Sequence, residues 1–174
     1  PVNERFTDAV YFGREILASR ANVGEVDPPA PGIGTAADRF DVDPVEMSKK
    51  LKAFGRYLGA GRVRITKLNQ DWVYTNYAHP YIAEEAYGAP VKLDYKYVIC
   101  MAIPQNRNMI LNGLGPAMAT EGGWNYSVGS LISVTMARFI RLLGWPARAL
   151  PSGNSPYLVV PVFVDAGIGE QGRC

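Results

Sequence analysis

The strongest constraint on the fold of this chain is a run of apolar side chains over residues 128–143 that repeats with the period of an α-helix. The positions are separated by three or four residues, so they fall along one face of a helix. They are Val128, Leu131, Ile132, Thr135, Met136, Phe139, Ile140 and Leu143. The pattern predicts a helix over about residues 125–143 that buries this face, leaves Arg138 and Arg141 outside it, and ends at the C-terminal cap Gly144.

The start of this helix holds a candidate for proton transfer. Asn125 is a suitable N-cap, because its side-chain oxygen can accept a hydrogen bond from the backbone of the first turn. Tyr126 would then lie in that first turn, where unpaired backbone N–H groups carry a partial positive charge that favours an anion. A phenol in that place is expected to release its proton more readily. Packing at the helix start is the alternative role, and position alone leaves both roles open.

A second helix and a first strand are predicted upstream. Asp43 and Pro44 have the character of an N-cap and a first helical residue, and Gly59 that of a helix end. The apolar face of this helix is formed by Met47, Leu51, Phe54 and Leu58. Residues 61–66 alternate with the period of a half-buried strand, and residues 72–74 continue in extended or loop form.

The remaining segments complete a mixed fold. Residues 76–90 are predicted to form a loop with one short helix, and residues 106–120 a helical stretch interrupted by glycine. Residues 95–103 are nearly continuous in apolar side chains, which predicts a strand in the centre of a sheet. Residues 157–164 predict a last strand, in which Pro161 indicates an edge or a bulge. Helices and strands are mixed along the chain, so the fold class is α+β or α/β.

The size of the chain indicates one globular domain, because 174 residues with 48% hydrophobic content can bury a substantial core. Residues 1–42 are predicted to form an N-terminal helix and an arm rich in proline and glycine, and residues 43–174 form the core. The two cysteines, Cys100 and Cys174, are too few for a disulfide framework or a cysteine metal site. Cys100 lies in a strand-like run and is interpreted as a buried structural thiol.

Composition argues against several other classes of protein. Eighteen basic residues against sixteen acidic ones give a net charge of +2, which does not indicate a nucleic-acid partner. The longest apolar runs reach about eight residues, far short of the roughly 20 that a membrane-spanning helix needs. No signal peptide is recognised, and a removed leader would leave no trace. The single histidine, His79, is predicted in a loop and gives little support for a protein metal centre or a histidine-based triad.

The C-terminal third carries several spaced phrases that resemble the reductive dehalogenase family. In order, they are Leu143-Gly144-Trp145 at the end of the long helix, Asn154 in a loop, Pro161 in an apolar segment, and AGIGEQGR at residues 166–173. Upstream, residues 43–66, 72–74 and 95–103 are similar to family segments in the same order. The resemblance covers roughly residues 43–174, and it is fairly specific because several separate phrases agree.

This resemblance implies a nitroreductase-like α+β fold, in which cobalamin lies in a cavity above a central sheet and between helices. Tyr126 matches the family's proposed proton donor for the reductive cleavage of carbon-halogen bonds in small organohalides, the chemistry of organohalide respiration. Asn154 matches a family asparagine in the same pocket, where its amide could hold the phenol or the substrate.

Five further residues are candidates for binding substrate or cofactor, because they flank Tyr126 or Asn154. They are Trp124, Asn125, Ser152, Gly153 and Ser155. Small residues beside Asn154 would let the backbone approach the cofactor closely, with a surface turn as the alternative. Aromatic side chains could wall an apolar pocket for a small haloorganic ligand, or they could be part of the core. They are Trp72, Tyr74, Tyr77, Tyr81 and Trp124.

The sequence also departs from the family pattern. Family members continue beyond the AGIGEQGR phrase into a segment with a catalytic arginine and a module with two four-iron clusters. This sequence has no C-x-x-C-x-x-C run, and Arg173 is interpreted as a structural part of the turn phrase. Iron-sulfur clusters are therefore expected only in a C-terminal module outside this sequence, and electrons would come from a donor through that module. We expect the 174 residues alone to be incomplete for turnover.

The resemblance also bears on partners and location. It implies an exported protein at the outer face of the cytoplasmic membrane, with a membrane anchor subunit known in the family, and it leaves oligomerisation open. Two other functions stay open: a non-catalytic corrinoid-binding protein, and an epoxyqueuosine-type reductase that uses cobalamin on a tRNA base. The balanced charge, and the tyrosine where an acidic donor would be expected, argue against the second.

Overall fold

The computed structural model describes residues 5, 8 and 9, and then residues 35–77, 87–150 and 155–172. Within these ranges the chain is an α+β mixture of four helices, a 3₁₀ turn and one two-stranded sheet. In chain order the elements are α1 (Pro44–Tyr57), β1 (Arg62–Lys67), the 3₁₀ turn (Gln70–Trp72), β2 (Tyr97–Ala102), α2 (Arg107–Ile110), α3 (Pro116–Leu142) and α4 (Val159–Asp165). Residues 5, 8 and 9 are helical, and the rest of the predicted N-terminal helix lies outside the described residues.

Helix α1 begins and ends where its local sequence predicts. Asp43 Oδ1 accepts a hydrogen bond from the backbone N–H of Glu46 over 2.8 Å, and Pro44 fills the first turn, where its missing N–H has no intrahelical role. Leu51 and Gly55 are the buried residues of the helix. Gly59 then adopts a φ of 114°, a conformation that glycine adopts without a side-chain clash. The observed N-cap, first-turn proline and terminal glycine therefore confirm the predicted helix.

The antiparallel strands β1 and β2 pair from Arg62 opposite Ala102 to Lys67 opposite Tyr97, which confirms both predicted strands. In the described part of the chain β2 has β1 as its one neighbour, so its predicted central place in the sheet is wrong there. Its continuous apolar run has another cause, because β2 contributes to a separate core cluster on each face. Cys100 packs with Tyr157, while Ile99 packs against Val63 on the other face.

The long helix α3 begins at Pro116, well before the predicted start near residue 125, and runs through Gly122 and Gly123. Glycine in a helix interior costs about 1 kcal/mol relative to alanine, so these two glycines weaken the helix without interrupting it. Asn125 does not cap the helix. Its side-chain amide instead donates to the carbonyl and the carboxylate of Glu121, one turn earlier on α3.

The burial of α3 follows the predicted stripe only in part. Ile132 and Met136 are buried as expected, but Leu131 is 51% exposed and Arg141 only 2% exposed. Arg141 was predicted off the buried face, and this prediction is wrong for a tertiary reason. Its guanidinium Nη1 donates to the carbonyl of Ala147 over 3.0 Å, which provides a hydrogen-bond partner for the buried cation.

The C-terminal end of α3 is covered by residues 35–42. Ala36 donates its backbone N–H to the carbonyl of Arg141 over 2.9 Å, and Phe40 donates to that of Leu143 over 3.1 Å. Gly144 follows with a φ of 81°, as predicted for the end of this helix. Part of the predicted arm is therefore hydrogen-bonded to the core, and Trp145 Nε1 adds a bond of 3.2 Å to the Phe40 carbonyl.

The last element, α4, is a helix where a strand was predicted. Pro161 lies in its first turn, where the backbone N–H groups have no intrahelical acceptor, so the proline does not disturb the helix. Val162 is 1% exposed and anchors the helix in the core. The indole Nε1 of Trp72 donates to Asp165 Oδ2 over 2.8 Å, which ties the end of α4 to the 3₁₀ turn. The β-branched run that suggested a strand is thus held as a helix by tertiary contacts.

Candidate functional site

An apolar cleft of about 670 Å³, here called the large cleft, lies between the helices and the sheet of the described structure, and its volume is typical of small-molecule sites. One wall is α1, the floor is the two-stranded sheet, and the other wall is the C-terminal half of α3 with the segment after it. Representative lining residues are Met47, Leu51, Ile65, Val98, Ile99, Met101, Ser133, Met136, Ala137, Ile140, Ala149 and Leu150. The same elements that build the core therefore leave an apolar site between them.

Aromatic rings and one cation give this cleft its chemistry. The rings belong to Tyr95, Tyr97, Trp145 and Tyr157. Arg148 is the charged side chain among the described lining residues, and its Nη2 lies 3.4 Å from the hydroxyl of Tyr77. Burial raises the pKa of Tyr157 to about 12, and the Cys100 thiolate adds to this rise, so Tyr157 is a neutral donor at pH 7.

Tyr126 lies in the interior of α3, not in its first turn, so the predicted activation by the helix start is wrong. Its side chain is 37% exposed, and its backbone carbonyl accepts from Ser130 Oγ over 2.8 Å. Tyr126 is absent from the lining of the cleft. It precedes Ser133, which does line the cleft, by seven residues, about two helical turns and roughly 10 Å along the axis. The two residues therefore share one side of α3.

Trp124 and Asn125 belong to a second, smaller cleft of about 420 Å³ between α3 and the segment that follows β2. Its lining also includes Glu121 and Asn106. Trp124 is 56% exposed there. The structure therefore places Trp124 and Asn125 apart from the large cleft, although they are adjacent to Tyr126 in sequence.

The structure describes only one of the predicted residues around Asn154. Ser152, Gly153 and Asn154 lie outside the described residues, and Ser155 is half-buried. In sequence this segment runs between Leu150 and Tyr157, and both of these line the large cleft. His79, Tyr81, Arg173 and Cys174 also lie outside the described residues.

Of the described aromatic candidates, Trp72, Tyr74 and Tyr77 are not among the lining residues of the large cleft, and Trp124 lines the smaller one. Trp72 packs against the core cluster around Cys100, Tyr74 is 45% exposed, and Tyr77 reaches the cleft only through Arg148. The rings that do line the cleft include Tyr95 and Tyr97, which sequence reasoning placed in a strand without a functional role. Their spacing of two residues along an extended segment was the signal that could have indicated one common face.

The described ranges contain no group of three or more histidine, cysteine or acidic side chains that could hold a metal ion. Cys100 is 1% exposed, and burial raises the pKa of its thiol to about 11, which makes it an inert structural thiol, as predicted. In the same ranges no helix combines the length and the apolar character of a membrane-spanning segment.

Comparison with known proteins indicates distant relatives. No family model matches the chain. A tetrachloroethene reductive dehalogenase from Sulfurospirillum multivorans is 26% identical over 155 residues, which covers 75% of this chain and 30% of that protein. A protein of the same name from Dehalobacter restrictus is 26% identical over 161 residues, covering 74% of this chain and 29% of that protein. The chain thus spans about 30% of the length of these relatives, and it is distantly similar to reductive dehalogenases.

Proposed function

We propose that this chain forms the cobalamin-binding part of a reductive dehalogenase, an oxidoreductase that cleaves carbon-halogen bonds of small organohalides by reduction. The observation that carries the proposal is the alignment of about three quarters of the chain with two proteins named tetrachloroethene reductive dehalogenase. The α+β mixture is compatible with the nitroreductase-like fold that the sequence resemblance implies. That fold remains part of the proposal.

The large cleft fits a corrinoid in its chemistry. A corrin has two apolar faces and a rim of amides, so it requires apolar walls with hydrogen-bonding groups at their edge. Ile99, Met136 and Ala137 are apolar lining residues on the floor and one wall, while Ser133 and Arg148 offer polar atoms. When bound, cobalamin would supply a reducible cobalt centre for breaking the carbon-halogen bond.

Within this proposal, Tyr126 holds and delivers a proton at its phenol oxygen as the substrate carbon gains electron density. Its partial exposure and its place on the same side of α3 as the cleft residue Ser133 support this role. Asn154 is proposed to orient the phenol or the substrate through its amide. The described residues on either side of it in sequence, Leu150 and Tyr157, line the cleft.

Electron delivery is assigned to iron-sulfur clusters outside this chain. Such clusters are held by groups of cysteines, and the sequence has only Cys100 and Cys174. The relatives are about three times longer than the matched region, which leaves room in a complete protein for such a module. An external electron donor, a membrane anchor subunit and export to the outer face of the cytoplasmic membrane belong to the same proposal.

Corrinoid binding is the direct test. The folded protein is titrated with cob(II)alamin while the visible and electron paramagnetic resonance spectra are recorded, and we expect both spectra to change saturably. Ser133→Phe, which places a ring in the cleft, should weaken binding, whereas Leu131→Phe on the exposed side of α3 should not. Circular dichroism verifies that both variants are folded. Unchanged spectra with the folded wild-type protein would show that the proposal is wrong.

A further inference from the structure

Arg148 stands out in the large cleft, because it brings a permanent positive charge to a site with mostly apolar and aromatic walls. No acidic side chain occurs among the described lining residues. In such surroundings a charge is screened less than in water, so its attraction for an anion is stronger. The composition of the cleft therefore favours a largely apolar ligand that carries a single anionic group.

The backbone that carries Arg148 is held in place. The carbonyl of the preceding residue, Ala147, accepts the 3.0 Å hydrogen bond from the buried guanidinium of Arg141. The next residue, Ala149, is 2% exposed and packs in a core cluster with Ala137 of α3. A guanidinium on an anchored backbone loses less conformational freedom when it binds an anion.

Cobalamin has a group that matches this cation. The amides on the corrin rim are neutral, whereas the tail that carries the lower nucleotide contains a phosphodiester with a negative charge. Arginine binds phosphate oxygens through two parallel N–H donors, a geometry that lysine cannot reproduce. This step rests on the proposed function, because it takes the ligand of the cleft to be a corrinoid.

We propose that Arg148 is a cofactor-binding residue that pairs with the phosphodiester of the cobalamin tail, and that it makes the cleft selective for corrinoids with a complete nucleotide tail. The test compares cob(II)alamin with cobinamide, which lacks the phosphodiester and the nucleotide. Dissociation constants are measured for the wild-type protein and for Arg148→Met, Arg148→Lys and Arg56→Met. Arg56 is exposed on α1 and outside the cleft, so its substitution is the matched control for loss of one positive charge.

The wild-type protein should bind cobalamin at least about tenfold more tightly than cobinamide, the scale of a charge-assisted hydrogen bond. Arg148→Met should weaken cobalamin binding by a similar factor and leave cobinamide binding nearly unchanged, with Arg148→Lys intermediate and Arg56→Met like wild type. Excess dimethyl phosphate, which is a phosphodiester like the one in the tail, should weaken cobalamin binding in the wild-type protein more than in Arg148→Met. A strong effect of inorganic phosphate alone would identify a general phosphate site and contradict the proposed selectivity for the tail.

Failure of this inference differs from failure of the proposed function. If wild type binds neither corrinoid, the proposed function is wrong. If both bind, and the ratio of their dissociation constants is the same in wild type and Arg148→Met, the role of Arg148 is wrong. If Arg148→Met does not fold, the role of Arg148 is tested with the folded Arg148→Lys variant and with the salt dependence of corrinoid binding to the wild-type protein. Added salt must then weaken cobalamin binding more than cobinamide binding.

Discussion

The carboxylate of Glu121 accepts the side-chain amide of Asn125 over 2.8 Å, and the same oxygen accepts the backbone N–H of Asn106 over 2.6 Å. Asn106 in turn caps α2, because its Oδ1 accepts from the backbone of Asn108. One carboxylate, only 8% exposed, thus joins the start of α2 to the interior of α3. This bond helps to explain why Asn125 lies inside a helix whose start it was predicted to cap.

Replacing Glu121 with alanine should therefore destabilise the protein. The N–H of Asn106 and the amide of Asn125 would lose their shared acceptor in a partly buried setting, and each loss costs about 1 kcal/mol. Urea denaturation followed by circular dichroism measures the loss. Glu46→Ala is the control, since that carboxylate is exposed and pairs with Lys49 on the surface of α1. Equal losses for both variants would contradict the structural role of Glu121.

Gly144→Ala should be more destabilising than Gly113→Ala, although both glycines have positive φ values, 81° and 66°. An added Cβ at Gly144 would collide with the backbone of Asp38 and Arg39, whereas at Gly113 no atom of the described residues lies within 4 Å. Strain of the left-handed conformation alone costs on the order of 1 kcal/mol, and Gly144→Ala should exceed it. Thermal unfolding of both variants measures the difference, and a similar loss at both positions would contradict the close approach.

Tyr126→Phe tests the proposed proton donor in a form of the protein that is extended by the proposed iron-sulfur module. Loss of general acid catalysis should lower turnover per bound cobalamin by about 10²- to 10⁴-fold, while cobalamin binding changes little. Tyr57→Phe is a matched control, because Tyr57 is 85% exposed at the end of α1. Normal turnover per cofactor in the Tyr126 variant would assign the residue a packing role.

The buried thiol of Cys100 should make stability dependent on alkaline pH. Its pKa rises from 9.0 to about 11 on folding, so the folded state favours the neutral thiol. The stability that this preference contributes is complete below pH 9 and is lost as the pH rises from about 9 to 11. In a Cys174→Ser background, urea midpoints at pH 8 and pH 10.5 should differ less for Cys100→Ala than for the Cys100 protein. An equal decrease would show that other groups cause it.

The same thiol should also be protected from modification. In the Cys174→Ser background, Cys100 should react with iodoacetamide at pH 8 far more slowly in the folded protein than in urea, because it is 1% exposed and held as the neutral thiol. Mass spectrometry over time measures both rates. Rapid labelling of the folded protein would contradict the burial of β2.

Sequence reasoning succeeded where the determining contacts are local. The cap at Asp43, the alternation of β1 and the glycine after α3 each depend on residues within one turn or a few positions. It failed where the deciding contact comes from outside the helix or strand concerned. The buried guanidinium of Arg141 donates to the carbonyl of Ala147 in the segment after α3. The carboxylate of Asp165 in α4 accepts a hydrogen bond from the indole of Trp72.

The candidate site also combines features that local sequence predicts with features that depend on tertiary contacts. Spaced phrases in the sequence predict a functional tyrosine at residue 126, and this role stays a prediction; its position inside the helix depends on where α3 begins. The rings and the guanidinium of the large cleft come from three segments that only folding brings together, near β2, after α3 and before α4. Tyr95, Arg148 and Tyr157 have no spacing in sequence that marks them as one group, so their shared site could not be predicted.

The hydrogen bonds from residues 36 and 40 to the end of α3 extend the folded unit to residues that precede the predicted start of the core at residue 43. A shortened protein that begins at residue 43, the predicted start of the core, would deprive the carbonyls of Arg141 and Leu143 of their N–H partners. It would also remove the Arg39 guanidinium that lies 4.4 Å from the centre of the Trp145 ring, and this ring lines the large cleft. The smallest unit for expression therefore begins before Ala36, and the arm is part of the structure that shapes the large cleft.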